Sequence, residues 1–192
     1  WLTVIDRLGA PGDALITANV IRCIKNRFPN IKINCITPHP DLVKYDPIID
    51  AFNSKETFFS TDSSYWELIV QKERNINVVD HSLRRLGIEK YEYKNKFFLT
   101  KEERAWGKAL LDGISKPILA ICTKSKEPVK NWPTENWERL IYKLSDQFSI
   151  VHLGDNNEPI FDRVDRYAGK LSMRESAAAL ASTNFFIGPD SL

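Results

Sequence analysis

The chain has 192 residues, 43% hydrophobic and 27% charged, with 27 Lys+Arg against 25 Asp+Glu and a formal net charge of +2. That composition supports one or two globular domains with a proper core, and its charge balance gives no argument for a nucleic-acid partner. No apolar stretch approaches the roughly 20 residues that span a bilayer and no signal peptide precedes the first strand, so a cytoplasmic protein is expected. Cys23, Cys35 and Cys122 are odd in number, widely spaced and set in apolar runs, which points to buried reduced thiols rather than a disulfide or a metal site.

In chain order, strands and helices alternate. "WLTVI" reads as a buried strand, and Ala14 to Phe28 places apolar residues at helical spacing, closed by Pro29. "IKINCIT" is a second strand, "DLVKYDPIIDAF" is short helical or irregular structure broken by Pro47, and "YWELIV" is a third strand candidate. Val78 to Leu86 reads as a helix ended by Gly87, and Thr100-Lys101-Glu102-Glu103 is a capping box opening a helix to about Asp112. After a linker at "GISK", 113 to 116, the pattern restarts. "PILAICT" is a continuous apolar run of the kind buried in a parallel sheet. A Lys-rich loop follows, then a helix from about Thr134 to Asp146, the strand "SIVHL" and a helix from about Pro159 to Tyr167. A second capping box, Ser172-Met173-Arg174-Glu175, precedes "ESAAALAS", and "NFFIG" is the last strand. The expected class is α/β with two Rossmann-like domains, 1–115 and 116–192, whose parallel sheets face a cleft. The chain opens at Trp1 inside a strand and closes just after "NFFIGPDS", so the second domain is expected to be incomplete.

Residues 7 to 24, "RLGAPGDALITANVIRCI", set Gly9 and Gly12 ahead of Asp13 and a long helix. Glycines before a helix suggest a phosphate cradle, yet Asp13 already places an anion where a phosphate would sit, and the spacing is not G-x-G-x-x-G. Asp13 is either a helix cap or a carboxylate held as a general base. In the second half, "TKSKEPVKNWP" follows a strand end and offers Thr123, Lys124, Lys126 and Lys130, which suit a bound anion or a solvated surface equally. "GPDS", 188 to 191, is a strand-to-helix turn whose N–H groups could meet a phosphate. Glu158, four residues past the strand end at Gly154, could accept hydrogen bonds from a ribose or simply open a helix.

"LGAPGDALITANVIR", "KNWPTENWERLIYKL", "VHLGDNNE" and "GKLSMRESAAALASTNFFIGPDS" together resemble the family of ADP-heptose:lipopolysaccharide heptosyltransferases (glycosyltransferase family 9), which have the GT-B fold. The resemblance runs over nearly the whole chain, and its Lys-x-Trp-Pro stretch and Ala-rich helix leading to Pro-Asp-Ser are fairly specific in combination. It implies an inverting glycosyltransferase in which Asp13 is the catalytic base on the acceptor-side domain. It also implies that Thr123, Lys130, Glu158, Asp190 and Ser191 bind the donor: Lys130 at the diphosphate, Thr123 at phosphate, Glu158 at the ribose. Asp190 and Ser191 match the start of the family's Asp-Ser/Thr-Gly motif, with Leu192 standing where glycine is usual.

No cofactor is expected, since the nucleotide sugar, ADP-heptose by resemblance, is a substrate. No Asp-x-Asp pair follows a strand, so no metal is expected either. The implied acceptor is a lipopolysaccharide core or similar glycan, met peripherally at the inner face of the cytoplasmic membrane. A GT-B enzyme with another nucleotide-sugar donor and a non-catalytic nucleotide-binding or scaffold module are the alternatives.

Overall fold

β-branched and apolar residues fill the first segments to pair in the computed structural model, which describes residues 1–7, 9–54, 59–63 and 76–189. The chain divides into two units, Trp1–Phe98 and Leu99–Leu192. In the first, β1 (Leu2–Asp6), β2 (Ile33–Ile36), β3 (Ala51–Phe52) and β4 (Phe59–Ser63) form a parallel sheet in the order β3-β2-β1-β4. Helix α1 (Pro11–Arg27) follows β1, α2 (Pro40–Val43) follows β2, and α3 (Val78–Arg84) completes the unit. Val4, Ile33 and Cys35 pack with Ala18, Ile21 and Ile24 of α1 and with Val79 and Leu83 of α3 in one core. Cys23 and Cys35 are buried free thiols, and burial, reinforced by Asp6 and Asp46, pushes Cys35 up to about 12.

Helix α1 begins at Pro11, three residues before the apolar periodicity starts. Proline suits a first helical turn because its missing N–H would have no partner there. Strands β3 and β4 escaped the sequence reading for opposite reasons. β3 is two residues long, and β4, "FSTDS", has no apolar alternation although it pairs with β1 from Leu2–Phe59 to Asp6–Ser63. The candidate strand "YWELIV" lies outside the described residues.

The second unit repeats the topology. β5 (Ile118–Ile121), β6 (Ser149–His152), β7 (Asp165–Arg166) and β8 (Phe185–Ile187) form a parallel sheet ordered β7-β6-β5-β8. Helices α4 (Lys101–Leu110), α5 (Thr134–Leu144) and α6 (Met173–Leu180) accompany it. β5 is apolar throughout because both faces are covered: Ile118 and Ala120 pack with Leu111 and Ala179, while Leu119 and Ile121 pack with Trp137 and Ile141 of α5.

The unit boundary falls at 98/99 rather than at 115/116, because α4 packs on α6. Arg174 of α6 makes a two-pronged ion pair with Glu103 of α4, Nε to Oε1 at 2.5 Å and Nη2 to Oε2 at 2.6 Å. Glu103 also accepts the Thr100 N–H at 2.8 Å, completing the capping box expected there. Residues 113–116 therefore join two elements of one unit. A second difference concerns residues 159–167, which are irregular except for the two-residue edge strand β7 and form no helix. Arg163 takes a left-handed φ of 63°, and the N–H groups of Tyr167 and Ala168 donate to the His152 carbonyl at 2.9 Å. Among the described residues, no helix is long and apolar enough to cross a membrane.

Gly107 is the point of closest approach between α4 and α6: a Cβ there would lie 2.2 Å from the Ala178 carbonyl oxygen and 2.5 Å from its carbon. Backbone atoms cannot turn aside as a side chain can. Gly107→Ala should therefore lower stability by about 1–3 kcal/mol, the usual cost of overpacking, seen as a fall in the denaturant midpoint.

Candidate active site

Both sheets change winding direction after their first strand: β2 and β3 lie to one side of β1 and β4 to the other, and β5 stands likewise between β6 and β8. In open parallel sheets, ligands bind beyond the carboxyl ends of the strands at such a switch point. The loop that leaves β1 leads into the first turn of α1, which carries Asp13, and the loop that leaves β5 carries Thr123.

In the first unit, β1 ends on Asp6, whose buried carboxylate accepts the Gly9 N–H at 3.0 Å and the Thr37 hydroxyl at 2.9 Å. Thr37 Oγ1 accepts the His39 N–H at 3.1 Å, and His39 Nε2 donates to the Gly9 carbonyl at 2.9 Å. Gly9 is thus held at both its backbone groups, with a φ of 74° that favours glycine. The N-cap of α1 is Ala10, which has no side-chain acceptor, so Asp13 at the third helical position reaches back and accepts the Ala10 N–H at 3.1 Å. Gly12 sits inside the first turn. Burial raises the Asp13 carboxyl above its ordinary value, with Asp6 adding to the rise, against the opposing pull of the Ala10 bond and of His39. A half-buried carboxylate, fixed by backbone and made more basic, can accept a proton from a hydroxyl.

In the second unit, Thr123 and Glu158 come together in the interior. Glu158 Oε2 accepts the Thr123 hydroxyl at 2.5 Å, the Thr123 N–H at 3.1 Å and His152 Nε2–H at 2.9 Å. Oε1 accepts the Lys124 N–H at 3.1 Å and the Cys122 thiol at 3.3 Å. Glu158 is 5% exposed and Thr123 2%. The carboxylate read from the sequence as a ribose contact is turned inward. Burial alone would raise it, but the bonds from His152, Thr123, Cys122 and the Lys124 N–H outweigh burial and hold it at about 2. The Cys122 thiol is driven the other way, up to about 12, by burial and by Glu158 itself.

Beyond Thr123 the loop is closed on itself: Asn131 Oδ1 accepts the Ser125 N–H at 2.6 Å, and its Nδ2 donates to the Ser125 carbonyl at 3.1 Å. Lys130 ends a 3-10 turn, Pro128–Lys130, with Nζ 3.4 Å from Glu127. Trp132 packs edge-on against Trp137 of α5, ring centres 5.4 Å apart, which anchors the far end of the loop. Asp190 and Ser191 lie outside the described residues; Gly188 and Pro189 lead toward them.

His152, Gly154, Arg166, Asp6 and His39 take part in these clusters without having been singled out in the sequence. Gly154 (φ 129°) leaves room for Glu158, whose Oε1 would lie 2.5 Å from any Cβ added there. Arg166 donates to the carbonyls of Glu158 and Pro159 at 3.2 and 3.4 Å. A histidine within an apolar strand was the one legible signal, since a buried imidazole needs a partner. Among the described residues, no group of three or more His, Cys, Asp or Glu could hold a metal ion.

Because the Glu158 carboxyl sits at about 2 in the folded chain against an ordinary value of 4.5, its stabilising contribution is complete above that ordinary value and is lost as pH falls through 2. Glu158→Gln should therefore destabilise the chain by about 3 kcal/mol near neutral pH, as breaking a buried charged network does. Thermal unfolding of both proteins should show the gap narrowing as pH falls through that same window.

No curated protein matches the chain in sequence. Solved structures match it in fold. A glycosyl transferase family 9 protein from Veillonella parvula DSM 2008 is similar at a TM-score of 0.76 and 13% identity, over 97% of this chain and 75% of that one. E. coli heptosyltransferase WaaC with ADP gives a TM-score of 0.66 at 14% identity, over 99% of this chain and 81% of that one. The iron-containing dodecameric heptosyltransferase TibC, in complex with ADP-D-beta-D-heptose, gives 0.69 at 18% identity, over 99% of this chain and 53% of that one. These likenesses establish the fold, the two parallel sheets of GT-B-type glycosyltransferases. The sequence model of glycosyltransferase family 9 (heptosyltransferase) matches residues 54–191, well over half of the chain, and the chain accordingly belongs to that family.

Proposed function

We propose that this glycosyltransferase moves a heptose from ADP-heptose to a hydroxyl of a lipopolysaccharide core or similar glycan, with inversion at the sugar carbon. The observation that carries the reading is Asp13, a carboxylate held at the start of α1 by the Ala10 N–H and raised above its ordinary value by burial. The ADP in WaaC and the ADP-heptose in TibC support the donor class.

In this reading the acceptor hydroxyl oxygen attacks the anomeric carbon while Asp13 takes its proton. The bond from that carbon to the diphosphate oxygen breaks, and ADP leaves with the electron pair. Attack from the face opposite the leaving group gives inversion, as in inverting glycoside hydrolysis. Lys130, on the loop after β5, meets the charge that develops on the diphosphate, and Asp190 and Ser191 contribute donor contacts from the turn after β8. No cofactor and no resident metal takes part. In the same proposal the chain meets its glycan acceptor peripherally, at the inner face of the cytoplasmic membrane.

Calorimetry with ADP, UDP and GDP tests the donor: ADP should bind selectively, and Lys130→Ala should weaken it by roughly 1.5–3 kcal/mol, the contribution of a charged hydrogen bond. Preferred binding of UDP or GDP would move the enzyme to another donor. With ADP-heptose and a glycan acceptor, Asp13→Asn should lower turnover by about 10²-fold or more while leaving ADP affinity near wild type. Undiminished turnover in that variant would remove Asp13 from the base role.

A further inference from the structure

His152 is the last residue of β6, is 0% exposed, and lies beside Phe161 with ring centres 5.3 Å apart. Its Nε2–H donates to Glu158 Oε2 at 2.9 Å, and its buried Nδ1 has no hydrogen-bond partner among the described residues. A polar ring in an apolar strand is costly to keep there. What it achieves is visible one bond further on. Glu158 holds the N–H groups of Thr123 and Lys124 and the Thr123 hydroxyl, so its carboxylate decides the course of the chain as it leaves β5. Glu158 itself lies on an irregular segment and needs a second anchor. His152 is that anchor from the sheet, and Arg166, bonded to the Glu158 carbonyl, holds the backbone behind it.

We infer that His152 is a positioning residue for the donor loop: through Glu158 it fixes the segment Cys122–Lys124, from which the loop to Lys130 departs. The inference rests on the donor-binding role proposed above for that loop. His152 touches no donor atom in this scheme. It keeps the carboxylate aimed at the two loop amides, so that the loop is ordered before the diphosphate arrives and none of the binding energy is diverted into ordering it.

The test compares wild type with His152→Phe, which keeps a ring but removes the donor, and with His152→Gln, whose side-chain amide can reach Glu158. Two quantities are read: hydrogen exchange at the Thr123 and Lys124 amides, and ADP affinity by calorimetry. His152→Phe should speed exchange at both amides and weaken ADP by about tenfold, the effect of one lost charge-assisted hydrogen bond. The Val151 amide inside the ladder should stay protected, and His152→Gln should restore most of both effects. If His152→Phe fails to fold, Glu158→Gln is read in the same way, with the same loosening of the two amides expected. Unchanged exchange at Thr123 and Lys124 would overturn the inference, as would a His152→Gln variant no better than His152→Phe. Failure of the wild type to bind ADP would overturn the donor reading alone, since the exchange data decide the positioning role without it.

Discussion

A chain leaving the carboxyl end of a buried parallel strand carries N–H groups that the ladder no longer satisfies, and each unit answers this with one buried carboxylate. Asp6 accepts the Gly9 N–H beyond β1, and Glu158 accepts the N–H groups of Thr123 and Lys124 beyond β5. An orphaned buried amide is costly enough that the shape of both loops follows from where those carboxylates sit. Asp6 lies on the strand itself, so the first loop is tethered by a contact three residues long. Glu158 comes from 35 residues away, so the second loop depends on β6, His152 and Gly154 being in place.

The acidic residues of the site separate by environment. Glu158 accepts hydrogen bonds from five donors in the interior and is held ionised. Asp13 accepts one backbone N–H in a half-buried setting beside another carboxylate, and its proton affinity rises. In the proposed reaction these opposite displacements suit two tasks, one carboxylate holding a loop and the other open to proton transfer. The cap and base readings of Asp13 are compatible for the same reason. The bond to Ala10 uses one oxygen and orients the group.

The fold was legible where burial imposes a strong pattern. β5 is apolar on both faces because helices cover both, and the capping boxes at Thr100 and Ser172 mark real helix starts. The edge strands β3, β4 and β7 were not legible, since two or five residues half open to solvent need no apolar alternation. Where a helix was expected over 159–167, the chain instead runs irregularly into β7, which pairs with β6, and the Tyr167 N–H donates to the His152 carbonyl.

The residues themselves determined the two-part α/β order, the glycine-to-aspartate start of α1, and the family motifs, because helix caps and buried strands are written in local spacing. Tertiary structure alone decided which domain owns α4, since that rests on Gly107 against Ala178 and on Glu103 with Arg174, partners 71 positions apart. It also decided the direction of Glu158. Nothing in "LGDNNE" says whether a carboxylate faces solvent or the interior. That is settled by the amides of another loop, which with the Thr123 hydroxyl, the Cys122 thiol and His152 replace the water that the carboxylate gives up on burial.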